Sequence, residues 1–144
     1  MSNRANQWIL NVVKGMDRET SEETCARVLE QCGRSCLPKG IREVAAKAKE
    51  ESATPKQAIE RLAAKLDVAR IEDDAVYVEY PRCYCEHLKG VSPEDVPDVF
   101  CACSIGWVKE LFGIAAGPEC AVDVVLEQSV MRGDDRCRFR VTIG

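Results

Sequence analysis

Apolar residues recur at helical spacing through the first half of the chain and alternate at strand spacing through the second. In "ANQWILNVVKGM", Trp8, Ile9, Val12, Val13 and Met16 repeat every three to four positions, which predicts an amphipathic helix with a core-facing stripe. Thr20 followed by Glu23 has the spacing of a capping box and opens a second helix over "SEETCARVLEQCGRSC". Gly33, near Cys32 and Cys36, is expected to end or loosen that helix. "GIREVAAKAKEES" predicts a surface helix rich in alanine, lysine and glutamate. Thr54, Pro55 and Gln57 then mark another N-terminus, because proline presets the first helical φ and threonine can accept a backbone N–H there. That helix carries Ile59, Leu62, Ala63 and Leu66 on one face.

The period changes at "DVARIEDDAVYVEYP", which reads as two short strands about Asp73 and Asp74, with Val76, Val78 and Tyr80 alternating. A loop with two prolines and a glycine, "EHLKGVSPEDVPD", follows. Ser104 is expected to cap a helix over "IGWVKELF", whose Ile105, Val108 and Leu111 make an apolar face for the sheet. Residues 119–143 predict an antiparallel hairpin turning near Arg132 to Asp135. In its last strand Cys137, Phe139, Val141 and Ile143 point one way and Arg136, Arg138 and Arg140 the other. Helices first and strands later predict an α+β fold, with N-terminal helices packed on an antiparallel sheet that ends in a C-terminal β-hairpin.

With 144 residues, a single domain over 1–144 can bury a core without staples. Apolar residues at 46% and charged ones at 31% suit a folded globular chain. A net charge of −4 is not the electrostatic footprint of a nucleic-acid or anionic-membrane binder, so neither partner is expected. The apolar stretches read as shorter than a bilayer span, and the N-terminus lacks a signal-peptide core, so a cytoplasmic location is expected. Self-association into a homodimer is left open.

Against that background the nine cysteines change the picture. An odd number of thiols in a reducing compartment points away from a disulfide framework. Cys25 and Cys120 stand alone and read as packing, since free cysteine behaves as a small hydrophobe. The others cluster: Cys83 with Cys85, Cys101 with Cys103, and Cys32 with Cys36. In extended backbone residues i and i+2 share a side, so each close pair can present two sulfurs together, and residues 86–100 form a loop long enough to join them. Cys32 and Cys36 fall on one helical face, and Cys137 points inward beside Phe139. Converging thiolates suit tetrahedral zinc, with an iron–sulfur cluster as the alternative. Thiol nucleophilic or redox chemistry competes, because Cys103 just before a helix N-terminus should have a lowered pKa.

His87, the only histidine, is a ligand or general-base candidate, against a plain solvated loop residue. The Arg132-Gly133-Asp134 tripeptide reads as a turn. Trp8 and Trp107 read as core. No glycine-rich phosphate loop is present.

The stretch "VDVVLEQSVMRGDDRCRFRV" resembles the closing hairpin of the 4-vinyl-reductase domain, which is related to sensor domains of aromatic-responsive transcription regulators and to TRAPP-type trafficking subunits. Glu127, Gly133, Cys137 and Phe139 match its pattern, and Val130 stands where that family has a cysteine. "LEQCGRSC", "CYCEH", "FCACSIGWVKELF" and "LEQSVMRGDDRCRF" are similar to a cysteine-rich branch of uncharacterised microbial proteins, with a distant likeness to L-2-amino-thiazoline-4-carboxylate hydrolases. The resemblance implies zinc beside a pocket for a small hydrophobic molecule. The expected ligands are Cys83, Cys85, Cys101, Cys103 and Cys137, with Cys32 and Cys36 secondary and Glu127 or His87 as a further ligand or hydrogen-bond acceptor. Ile105, Trp107, Val108 and Leu111 would line the pocket. A metal- or thiol-dependent hydrolase and a structural metal module are the competing expectations, so whether the chain is an enzyme stays open.

Overall fold

The computed structural model describes residues 4–82 and 85–144. Its order is α1 (Arg4–Glu19), α2 (Glu22–Ser35), α3 (Lys39–Glu50), α4 (Pro55–Ala64), β1 (Ala69–Glu72), β2 (Ala75–Tyr80), α5 (Ala102–Ala116), β3 (Val122–Gln128) and β4 (Cys137–Ile143). The strands form one antiparallel sheet in the order β1-β2-β4-β3, so the C-terminal hairpin is present as expected. Short 3-10 turns at Glu86–Leu88, Pro93–Asp95, Asp98–Cys101 and Val130–Arg132 stiffen the connections.

Local chemistry explains most boundaries. Thr54 accepts the Gln57 N–H at 3.2 Å, while the Gln57 side chain takes the Ala53 N–H at 2.9 Å, giving α4 a reciprocal cap with Pro55 in its first turn. At α2 the cap is Ser21, whose Oγ accepts the Thr24 N–H at 3.1 Å, rather than Thr20, whose hydroxyl instead bonds back to the Met16 carbonyl and closes α1. Ser104 does not cap α5: the 3-10 turn at Asp98–Cys101 runs straight into the helix and places Ser104 inside it.

α5 is the central helix and packs against α2, α3, α4 and β3. Its Val108, Leu111, Phe112 and Ala115 are buried, so it is apolar nearly all round, unlike the one-sided stripe the sequence suggested. The continuous helical segment Asp98–Ala116 is long and apolar enough to cross a membrane by length and composition, which the sequence reading had denied. Here more than half of it is buried inside the protein, as a core helix requires. α3 is also more than a surface helix, since Ala45 and Ala48 sit in the core. On α1 the buried positions are Leu10 and Val13; Trp8 is 69% exposed, against the expectation of a core residue. The reason is that, among the described elements, α1 packs mainly against α2 and the Glu86–Leu88 turn, which cover a narrow stripe of it.

Candidate thiol site

α2 and α5 meet backbone against backbone. A Cβ at Gly33 would lie 1.7 Å from the Cys103 carbonyl oxygen, and one at Gly106 would lie 2.0 Å from the Glu30 carbonyl oxygen. Only glycine permits either contact, so Gly33 is a crossing point within α2 rather than its end. Lys109 Nζ reaches Glu30 Oε2 at 3.0 Å beside the crossing. The seam sets Cys103 against the last turns of α2, which carry Cys32 and Cys36.

Cys36 is the C-terminal cap of α2, its N–H donating to the Cys32 carbonyl at 3.1 Å. Arg42 on α3 fixes the backbone on both sides of it, donating from Nη2 to the Arg34 carbonyl at 2.6 Å and from Nε to the Leu37 carbonyl at 3.1 Å. Cys32 and Cys36 are exposed, whereas Cys85 and Cys103 are half-buried behind them. Burial pushes the Cys103 thiol up to about 12, helped by the neighbouring sulfurs of Cys36, Cys85, Cys32 and Cys101. Burial likewise raises Cys85, against the backbone N–H groups of His87 and Leu88, which favour its thiolate; Cys36 and Cys101 raise it further. The sequence placed Cys103 in a pKa-lowering position at a helix start. The opposite holds, because burial and crowded sulfurs outweigh the helix dipole.

Cys101 belongs to a different group. Its backbone is helical, not extended, so it and Cys103 do not share a side. Cys101 Sγ lies 3.3 Å from the hydroxyl of Ser129, which is 0% exposed. The same hydroxyl accepts the Met131 N–H at 3.2 Å, so it ties the Cys101 sulfur to the hairpin turn. Burial raises Cys101, the Ser129 hydroxyl and Arg132 oppose it, and Cys137 and Asp98 add to it. Cys137 Sγ in turn accepts the Val130 N–H at 3.5 Å. The expected set thus gathers about two centres, Cys32, Cys36, Cys85 and Cys103 about the seam and Cys101 with Cys137 about the hairpin turn, with Cys101 still near enough to Cys85 and Cys103 to raise both. Cys83 lies outside the described residues. Ser129 escaped the sequence reading, although a serine directly before a "VMRGDD" turn is a recognisable turn-closing signal.

Two expected partners lie elsewhere. Glu127 is on the opposite face of the sheet from Cys137, bound to Arg138 at 2.8 Å and near Arg140 at 3.9 Å, so it faces away from the thiols. A register shift between Leu126 and Gln128 is centred on it. His87 Nδ1 lies 3.0 Å from Asn6 Oδ1, so its ring is engaged with α1. Val108 and Leu111 are packed in the core, and Ile105 and Trp107 lie against it; none of these lines the two described clefts. The larger cleft, about 420 Å³, opens by Ile59, Ile71 and Cys120, and the Cys85–Cys103 group does not line it.

Among the described residues no three of His, Cys, Asp and Glu already meet in ligating geometry, and no disulfide forms. The thiol sulfurs are near enough for Cys36, Cys85, Cys32 and Cys101 each to oppose ionisation of Cys103.

No curated protein matches the chain. A family profile matches it over residues 1–144, and the chain belongs to that family, a family of unknown function (DUF6144).

Proposed function

We propose that the chain binds a thiophilic metal ion, zinc first and an iron–sulfur cluster as the alternative, through Cys32, Cys36, Cys85 and Cys103. The observation that carries this reading is the glycine seam, which holds Cys103 beside the Cys32–Cys36 turn while the loop before Leu88 brings in Cys85. The donor chemistry suits a soft cation: sulfurs from separate elements are neighbours, two of them half-buried, and backbone N–H groups at Cys85 favour a thiolate there. Without a cation the inner sulfurs of Cys85 and Cys103 are held in the thiol form, because burial first and neighbouring sulfurs second oppose ionisation. A bound ion reverses that balance and releases protons.

The likeness to the 4-vinyl-reductase hairpin adds a role, sensing of a small molecule coupled to the metal. Cys101 lies against Ser129, next to the Val130 that replaces that family's cysteine, and so supplies a sulfur from a different element beside Cys137. Glu127 does not join it.

The test is elemental analysis and an absorption spectrum of protein purified without oxygen, followed by zinc titration. Saturable binding at one ion per chain, lost in the Cys36→Ser/Cys103→Ser double variant, is expected. No metal on purification and no saturable uptake would remove this reading.

A further inference from the structure

The helical layer stops short of one end of the sheet. Ile71, Val76 and Val141 are direct cross-strand partners on β1, β2 and β4, so they make one apolar row on the face that the helices cover. Val141 is 0% exposed and Val76 4%, yet Ile71 is 44% exposed. The row therefore runs out of the core into the cleft of about 420 Å³, where Ile59 of α4 and Ile143 of β4 complete an apolar floor. A cleft of that size falls within the range of small-ligand pockets, and its lining is far short of the area a protein partner needs.

The rim of this cleft is acidic. Glu72 pairs with Ala75, so Asp73 and Asp74 form a two-residue turn whose position is fixed by the strands on either side. Both line the cleft, as does Glu60 on α4. Among the described lining residues Lys56 carries the one opposing charge. None of the three carboxylates is in an ion pair among the described residues; on the same helix Arg61 turns to Glu51 instead. Asp73 has a φ of 53°, which asparagine or glycine accepts as well, so the turn itself does not call for two adjacent carboxylates. Carboxylates above an apolar floor attract a cation that carries apolar surface, and they repel anionic ligands and anionic membranes.

We propose that this cleft binds a small organic cation, an amine or quaternary ammonium on an apolar chain or ring. The apolar part lies on Ile59, Ile71 and Ile143, and the charge lies beside Asp73, Asp74 and Glu60. The Cys85–Cys103 group does not line the cleft, so binding here is independent of the metal reading above.

The experiment uses the full chain and three probes of nearly equal shape: phenethylammonium, 2-phenylethanol and 3-phenylpropionate. Cys120, half-buried in the cleft, reports occupancy through its rate of alkylation by iodoacetamide, read by peptide mass. Phenethylammonium should slow the alkylation of Cys120 saturably and leave that of Cys36 unchanged. The alcohol should protect only at several-fold higher concentration, and the carboxylate least. Asp73→Asn/Asp74→Asn keeps side chains that suit the turn, and should raise the phenethylammonium concentration for half-protection about fivefold without moving that of the alcohol. The three-probe comparison in the parent chain decides the matter by itself if the variant does not fold. No protection by any probe, equal protection by all three, or a folded variant with the parent's half-protection point would overturn the proposal.

Discussion

Two packed regions share α5 but are built differently. Between the sheet and α3, α4 and α5, the core is closed by bulk: Phe112, Phe139, Leu62 and Leu111 are all less than 2% exposed. Between α1, α2 and the connections after Cys85, the packed residues are Leu10, Val13, Cys25, Leu29, Leu88 and Phe100, with Cys85 and Cys103 at their margin. The first region fills space with large side chains from regular elements. The second relies on 3-10 turns and on a backbone-to-backbone crossing, and leaves polarisable groups partly uncovered. Order at the thiols therefore depends on the seam rather than on side-chain volume.

The sharpest way to break that contrast is Gly33→Ala. A new Cβ 1.7 Å from a backbone oxygen has no flexible side chain to push aside, so α2 and α5 must separate. The expected loss exceeds about 4 kcal/mol, the range reserved for a small set of severe mechanisms. Urea unfolding measures it. Gly113→Ala provides the matched control on α5, since nothing lies within 4 Å of its added Cβ. There the change should stabilise by about 0.5–1 kcal/mol through helix propensity and a less flexible unfolded chain. Equal effects at the two glycines would refute the seam.

A second substitution acts on the other region. Phe139→Ala empties the face of β4 that packs on α5 and its neighbours, and should cost about 3–5 kcal/mol. The alkylation rate of Cys36 by iodoacetamide, measured while the variant is still folded, should not change, because Arg42 and α2 hold that residue independently. A large acceleration would show that the two regions are not separable.

These differences also explain what the sequence could reveal. The Thr54-Pro55-Gln57 start and the alternation of Cys137, Phe139 and Val141 were legible because caps and strand faces are set by near neighbours. The clustering of thiols was legible as composition. Their division was not. Cys101 and Cys103 separate because the Asp98–Cys101 turn is helical, which depends on how Val99 and Phe100 bury. Gly33 and Gly106 look like a helix end and a weak helix position until two helices are known to cross there. Trp8 has the spacing of a core residue, but only a partner on that side would cover it, and α1 has none among the described residues.

The smallest predicted effect concerns the open face of the sheet, where neither bulk nor a seam is at work. Glu79 on β2 binds Arg70, Arg136 at 3.3 Å and Arg138 at 3.4 Å, and the guanidinium carbons of Arg138 and Arg70 lie 4.3 Å and 5.4 Å from the Tyr77 ring. Burial works to raise the Glu79 carboxyl, but the Arg136 hydrogen bond and the charges of Arg70, Arg138 and Arg136 outweigh it and hold it below its ordinary 4.5. A carboxyl depressed on folding adds stability that is complete above its unfolded value and lost as pH falls through the folded one. Glu79→Gln removes that dependence. Because the arginines are 26–49% exposed, the loss at neutral pH should stay below about 1 kcal/mol and shrink further in high salt. Urea midpoints of parent and variant should therefore converge as pH is lowered from about 6 to about 3. A gap of constant size over that range would mean that the variant acts by altered packing on Tyr77 rather than through the carboxylate charge.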